Sequence, residues 1–290
     1  MGDFTLARKN EIFNASQPAQ QRPSALEGVI KQDVMKEFGW EVPVDIAPLP
    51  SQGLVYPPAS PLHNKESVAI KAMTAKEEDI LMSRAYSKQG TTISELIKSC
   101  VLEKNIDPNE MLSGDRQALL VTIRITGYGT DYKVEVDCPA CNKRESHDFD
   151  LSKLEINRLE ISPVQPGINQ FETTLPVTKQ KVTFKFMTGQ DEQELSTLLE
   201  RRKKLLGETA ESPVTTRLSY QTITVANVAD KNKISTFISN MPAKDSLYLR
   251  EYIRKHEPGL SMKTEYHCDS CGADSEVSLP MGASFFWPQS

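Results

Sequence analysis

Two Cys-x-x-Cys pairs, Cys138/Cys141 and Cys268/Cys271, constrain this chain more than anything else in it, because 126 residues (142 to 267) separate them. Each pair lies at a turn between stretches of alternating polar and apolar residues. Val134 and Val136 precede the first and Phe149 follows it; Tyr266 precedes the second and Val277 follows it. Two residues between cysteines let the backbone fold back toward the sulfurs, and two such turns facing each other make a tetrahedral four-thiolate cage. Pro139 stiffens the first turn, and Gly272 supplies the positive φ that a knuckle needs just past its second ligand. A compact ribbon inserts far fewer residues. The expected ion therefore clips together two hairpins remote in sequence, at an entropic cost that the body between them must help offset.

The expected ion is zinc, one per chain, held by Cys138, Cys141, Cys268 and Cys271. Four thiolates complete the tetrahedron and leave no position for water, so the role is structural. Iron would accept the same four sulfurs, and two hairpins without metal are a further alternative. A redox dithiol usually opens a helix in a βαβ context, and neither pair does so. The fifth cysteine, Cys100, belongs to an apolar stripe of Ile93, Leu96, Ile97, Cys100 and Val101 at helical spacing, which makes it a core residue.

Around this module the pattern is α+β: a mainly helical body, two remote β-hairpins forming a zinc-ribbon-like unit, and an extended N-terminal arm. The arm is expected over residues 1–65. Its stretch 14–27 is rich in Gln, Pro, Ser and Ala, and six prolines fall between 43 and 61, a composition that cannot bury enough apolar surface to fold independently. A short amphipathic helix is expected within it, around 26–38. The body, 66–280, contains the ribbon as 130–150 with 260–280, and 281–290 is an aromatic tail. Thr74 with Glu77, and Thr92 with Glu95, read as capping-box helix starts. Residues 113–128 are ambiguous: Leu119, Leu120 and Ile123 suit a helix, while Val121, Ile123 and Ile125 alternate like a strand. Strands are expected at 171–174 and 181–187, and helices at 188–206, 214–228, 234–240 and 243–255, the last opened by Pro242.

Nothing in the sequence assembles into an active site. His63, His147, His256 and His267 all sit in polar contexts, with His267 either a spare ligand or a cross-strand partner. Gly127-Tyr128-Gly129 lacks the lysine of a phosphate loop and reads as a turn leaving the preceding element. Glu77, Glu78 and Asp79 occupy a helix first turn, where they offset the dipole. The basic run Arg201, Arg202, Lys203 and Lys204 follows the acidic Asp191, Glu192 and Glu194 along one helix, a solvated face. A net charge of −5 demands no polyanionic partner, so a nucleic-acid-binding zinc ribbon is the weaker alternative and a dithiol oxidoreductase weaker still. No stretch approaches the roughly 20 apolar residues of a membrane span. The start MGDFTLARKNEIF lacks the apolar run of a signal peptide, which points to a reducing cytoplasm. Phe285, Phe286 and Trp287 near the chain end must be buried by something. They fold back onto the hairpins, or they anchor in a groove of a partner.

Seven phrases taken in order, LPSQGLVYP, MTAKEEDIL, SGDRQALLVTIRITGYGTDY, CPAC, FKFMTGQDEQE, MPAKDSLYLREYI and SFFWP, carry a resemblance over about residues 48–288. Together they resemble the baseplate hub subunit and hub-assembly proteins of T-even-like contractile-tailed phages. The resemblance implies a non-enzymatic role in tail morphogenesis, with other baseplate and hub proteins as partners and neither membrane nor nucleic acid bound directly. The expected location is the host cytoplasm during assembly and the virion tail baseplate afterwards.

Overall fold

Residues 118 to 125 are all buried, on every side of the chain. That settles the ambiguity of the segment, because eight successive buried residues show no strand-like alternation, and a run buried on every side fits a helix inside the core. The computed structural model describes residues 42–206, 213–281 and 283–286, and in it Ser113–Tyr128 is a helix of 16 residues. Two threonines inside the helix return their hydroxyls to its own backbone: Thr122 to the Ala118 carbonyl at 2.9 Å and Thr126 to that of Thr122 at 2.8 Å. The Thr122 hydroxyl is thus spent within the helix, while that of Thr126 also reaches Asp45 Oδ2 at 3.3 Å.

In chain order the first elements are β1 (Val44–Pro48), β2 (Ser67–Lys71), α1 (Ala75–Met82), α2 (Arg84–Gln89), α3 (Thr92–Cys100) and α4, the buried helix. Next come β3 (Asp131–Asp137), β4 (Arg144–Asp150), β5 (Ile156–Asn157), β6 (Phe171–Thr174), β7 (Lys181–Phe184), α5 (Gly189–Leu206), α6 (Pro213–Gln221) and β8 (Thr222–Val225). The chain closes with α7 (Lys231–Asn240), α8 (Ala243–His256), β9 (Gly259–Leu260), β10 (Lys263–His267) and β11 (Asp274–Ser278), then a 3₁₀ turn at Ala283–Phe286. The sheets are small and antiparallel: β1-β2, β3-β4, β5-β9, β10-β11 and the three-stranded β6-β7-β8. The fold is a mixture of helix and small sheets around α4.

The expected arm boundary at 65 does not hold, and residues 1–41 with the helix expected at 26–38 lie outside the described residues. Ala47, Leu49, Val55, Tyr56 and Leu62 are core residues, and β1 pairs with β2 from Val44↔Lys71 to Pro48↔Ser67. Backbone bonds such as Leu49 N–H to the Glu66 carbonyl and Asn64 N–H to the Gly53 carbonyl fold the stretch, and side chains fasten it to α4. Asp115, fully buried in the first turn of α4, accepts the Ser51 amide at 2.9 Å, the Ser51 hydroxyl at 2.5 Å and the Tyr56 hydroxyl at 2.6 Å. The Tyr56 oxygen in turn accepts the Leu112 amide at 3.0 Å. Burial drives the Asp115 carboxyl above its usual range, against the pull of Ser51 and Tyr56.

Two further expectations are corrected. Thr91, not Thr92, precedes α3 and makes no side-chain cap, whereas Thr74 and Glu77 do form a capping box. The helix expected at 214–228 stops at Gln221, because Thr222, Ile223, Thr224 and Val225 are β-branched and pair instead with β7. Ala226 and Asn227 then turn the chain in the left-handed region, at φ 48° and 65°.

Removing the Asp115 carboxylate leaves three buried donors without an acceptor, each costing about 1–3 kcal/mol. Asp115→Ala is therefore expected to lower the melting temperature strongly and to open residues 49–65 to protease. An unchanged melt would show that this residue does not hold the segment. Glu77 makes a pH prediction. Burial alone would raise its pKa, but Ser99, Thr74 and Lys71 outweigh that and draw it from 4.5 to about 2. A folded pKa below the unfolded one gives stability that is present above the unfolded value and lost as pH falls through the folded one. Acid melts of Glu77→Gln should accordingly be less pH-dependent than wild type between 4.5 and 2.

Candidate metal centre

The two knuckles are built alike. In the first, the β3-β4 register closes at Asp137↔Arg144; in the second, β10-β11 closes at His267↔Asp274. The Cys138 amide donates to the Lys143 carbonyl and the Asn142 amide to the Cys138 carbonyl, both at 2.8 Å. The second knuckle repeats this, with Cys268 donating to Ala273 at 3.0 Å and Gly272 to Cys268 at 2.8 Å. Directly after the second cysteine each chain enters the left-handed region, at Asn142 (φ 57°) and Gly272 (φ 69°). Glycine adopts it at no steric cost, and asparagine is among the few other residues that tolerate it. The Lys143 amide lies against the Cys141 sulfur as the Ala273 amide lies against that of Cys271.

This repetition brings all four sulfurs within 4.8 Å of one another. Across the hairpins, Cys138 Sγ is 3.8 Å from Cys271 Sγ, and Cys141 Sγ is 3.8 Å from Cys268 Sγ. A tetrahedron of thiolates bonded at about 2.3 Å to a central ion has edges of about 3.8 Å. The donor set fits a zinc-type ion in size as well as in kind, and all four cysteines are free. The first cysteine of each pair, Cys138 or Cys268, is fully buried, while Cys141 is half-buried and Cys271 exposed. Tyr132, Val136, Phe149, Tyr266 and Val277 form the apolar ground beneath them.

Four sulfurs at this spacing cannot all ionise without a cation among them. Burial would raise the Cys268 thiol, but the Cys271 amide, the Tyr266 hydroxyl and the neighbouring thiols bring it down to about 7. At Cys271 the Ala273 amide favours the thiolate, yet Cys268, burial and the other two thiols prevail and push it up to about 12. A divalent ion removes that conflict. His267 is not among the clustered donors: its Nδ1 meets Asp274 Oδ1 at 2.7 Å across the strand pair, and that contact raises its pKa. Cys100 is buried in the core, and desolvation pushes its thiol up to about 12.

The tail answers a question the sequence left open. Phe285 and Phe286 are buried within this chain, at 0% and 4% exposure, so neither ring is free to enter a groove on a partner. Phe285 packs edge-on to Tyr132 with ring centres 5.1 Å apart. Trp287 lies outside the described residues. What holds the tail is Arg124, a residue the sequence reading missed. Its guanidinium is buried and donates to the carbonyls of Phe285 and Gly129 at 2.9 Å and of Asp131 at 3.0 Å. The Tyr132 hydroxyl adds a bond to the Pro280 carbonyl at 2.8 Å. The one signal in the sequence is an arginine within a run of apolar residues, which demands buried acceptors.

Replacing any one of Cys138, Cys141, Cys268 or Cys271 by Ser is expected to abolish metal retention through dialysis and to loosen residues 263–278. Cys100→Ser should keep the metal and show only the cost of a buried hydroxyl, about 1–3 kcal/mol. Metal loss in that variant, measured by elemental analysis, would mean that the ligand set is wrong.

Searches among curated proteins and among solved structures give no match. One family profile does match: the family described as T4 bacteriophage base plate protein, over residues 59–287. That span includes both knuckles, the buried helix α4 and both tail phenylalanines, and it covers most of the sequence. The chain belongs to the T4 bacteriophage base plate protein family.

Proposed function

We propose that this protein is a non-enzymatic component of the central hub of a phage tail baseplate, or a factor that assembles that hub, and that one structural zinc ion secures its C-terminal hairpin. The family match over residues 59–287 carries the reading. The ligands are Cys138, Cys141, Cys268 and Cys271, whose 3.8 Å cross-hairpin spacings support a closed tetrahedral site. Four thiolates leave no open coordination position, so the ion polarises no substrate and serves to hold β10-β11 against β3-β4. The partners are other baseplate and hub proteins. Assembly takes place in the host cytoplasm, and the finished location is the virion baseplate.

Mass spectrometry of purified phage particles separates the two forms of this reading. A hub component is expected in particles at a fixed ratio to other baseplate proteins; an assembly factor co-purifies with hub proteins from infected cells and is missing from particles. Association with neither would refute both. Elemental analysis of protein purified without added metal should give one zinc per chain, whereas a coloured protein with iron absorbance would reassign the ion.

A further inference from the structure

Beside the cage, and outside its ligand set, three further side chains from both hairpins converge. Glu145 and His147 are two residues apart on β4, so the pleat turns them to the same face. Asp269 is the residue after Cys268, in the opposite knuckle. One ligand atom from each, two carboxylate oxygens and an imidazole nitrogen, lies within 4.8 Å of the others. We propose that Glu145, His147 and Asp269 form a second cation site, for a divalent transition ion that takes nitrogen and oxygen donors.

His147 provides the first independent support. Its Nε2 is shielded from solvent and has no hydrogen-bond partner. Glu145 Oε2 stands 3.6 Å away, in reach of an ion pair when the imidazole is protonated but too far for a hydrogen bond. A buried polar atom left without a partner costs free energy, and an imidazole lone pair is satisfied by a metal as readily as by a proton donor. The ring itself is fixed by an edge contact to Tyr266, with centres 4.7 Å apart.

Charge provides the second. Glu145 Oε2 is 3.7 Å from Cys268 Sγ. When the cage holds a divalent ion, Cys268 is a thiolate with no proton to share, and a carboxylate then faces a thiolate at that distance. The Ser270 side chain, the Tyr266 hydroxyl at 3.3 Å and the Asp269 amide donate to the Glu145 carboxylate and offset part of this without adding positive charge. Asp269 adds a second carboxylate, while the nearby Lys143 directs its ammonium to the Ser270 hydroxyl at 3.4 Å. Local negative charge is thus in excess, and a second cation would offset it. Nitrogen and oxygen bonds to such an ion run about 2.0–2.2 Å, which requires the three atoms to close by roughly an ångström. Asp269 is exposed, and its exposure leaves a position for water. The site would act as a second clip between hairpins, weaker than the cage and exchangeable with solvent.

The test is a cobalt(II) titration of the full-length, reduced, metal-free protein, read by absorbance. Two equivalents are expected. The first brings the intense near-ultraviolet band of thiolate-to-cobalt charge transfer, and the second adds only weak visible bands of nitrogen and oxygen ligation. His147→Ala and Asp269→Asn should keep the thiolate band and the melting temperature yet weaken the second equivalent at least tenfold. If His147→Ala also loses the thiolate band, Asp269→Asn carries the test alone. Saturation of the wild type at one equivalent overturns the proposal, as does a second equivalent that both variants bind unchanged. A weak-band site lost in the variants, with no thiolate band in any protein, would sink the four-cysteine reading and leave this one standing.

Discussion

Helix α4 carries two ionisable side chains into the interior, and the rest of the architecture follows from how they are satisfied. Asp115 in its first turn and Arg124 near its end are both buried, and they do not pair with each other. An isolated charge in a low-dielectric interior is costly unless polar groups replace its water. Asp115 finds that replacement in Ser51 and Tyr56, far upstream; Arg124 finds it in three carbonyls, one of them Phe285 at the far end of the chain. One helix thus recruits both ends of the described chain, and each end is held by a charge that needs it.

The cage and the tail act on the same loop. Closing more than a hundred residues between the knuckles costs entropy that grows only slowly with length. Two features, the four-sulfur cluster and the Arg124–Phe285 bond, bring the segment that follows α8 against the first hairpin. Tyr132 links them, since it lies on β3 of the first hairpin, bonds the Pro280 carbonyl and packs against Phe285. The buried ground of the cage is therefore continuous with the bed of the tail.

Some of this was legible in the sequence and some was not, for identifiable reasons. The cysteine spacing located the four-sulfur cluster to the residue, because a knuckle is specified by neighbours within a few positions. Glycine past the second ligand is a local requirement of the same kind. The capping box at Thr74 was legible for that reason also. By contrast, residues 113–128 showed two competing periods, because burial of 118–125 on every side removes the polar face that would decide between them. The prolines of 43–61 looked like an arm, yet Ala47, Leu49, Val55 and Tyr56 among them enter the core, and a carboxylate 50 or more positions away fastens the segment. The convergence of Glu145, His147 and Asp269 depends on two hairpins docking, and no local pattern encodes that.

The limits of the family match and of the folded unit also differ, in an informative way. The match begins at residue 59, whereas β1 and the Ser51 and Tyr56 bonds to Asp115 lie before it. Asp115 itself lies well inside. A buried carboxylate within the matched region thus takes its hydrogen bonds from residues outside it. A body cut at residue 59 would keep the charge and lose its partners, which is the costlier arrangement of the two. The folding unit of this protein therefore starts no later than the strand at Val44, and the proline-rich segment belongs to the body rather than to whatever precedes it.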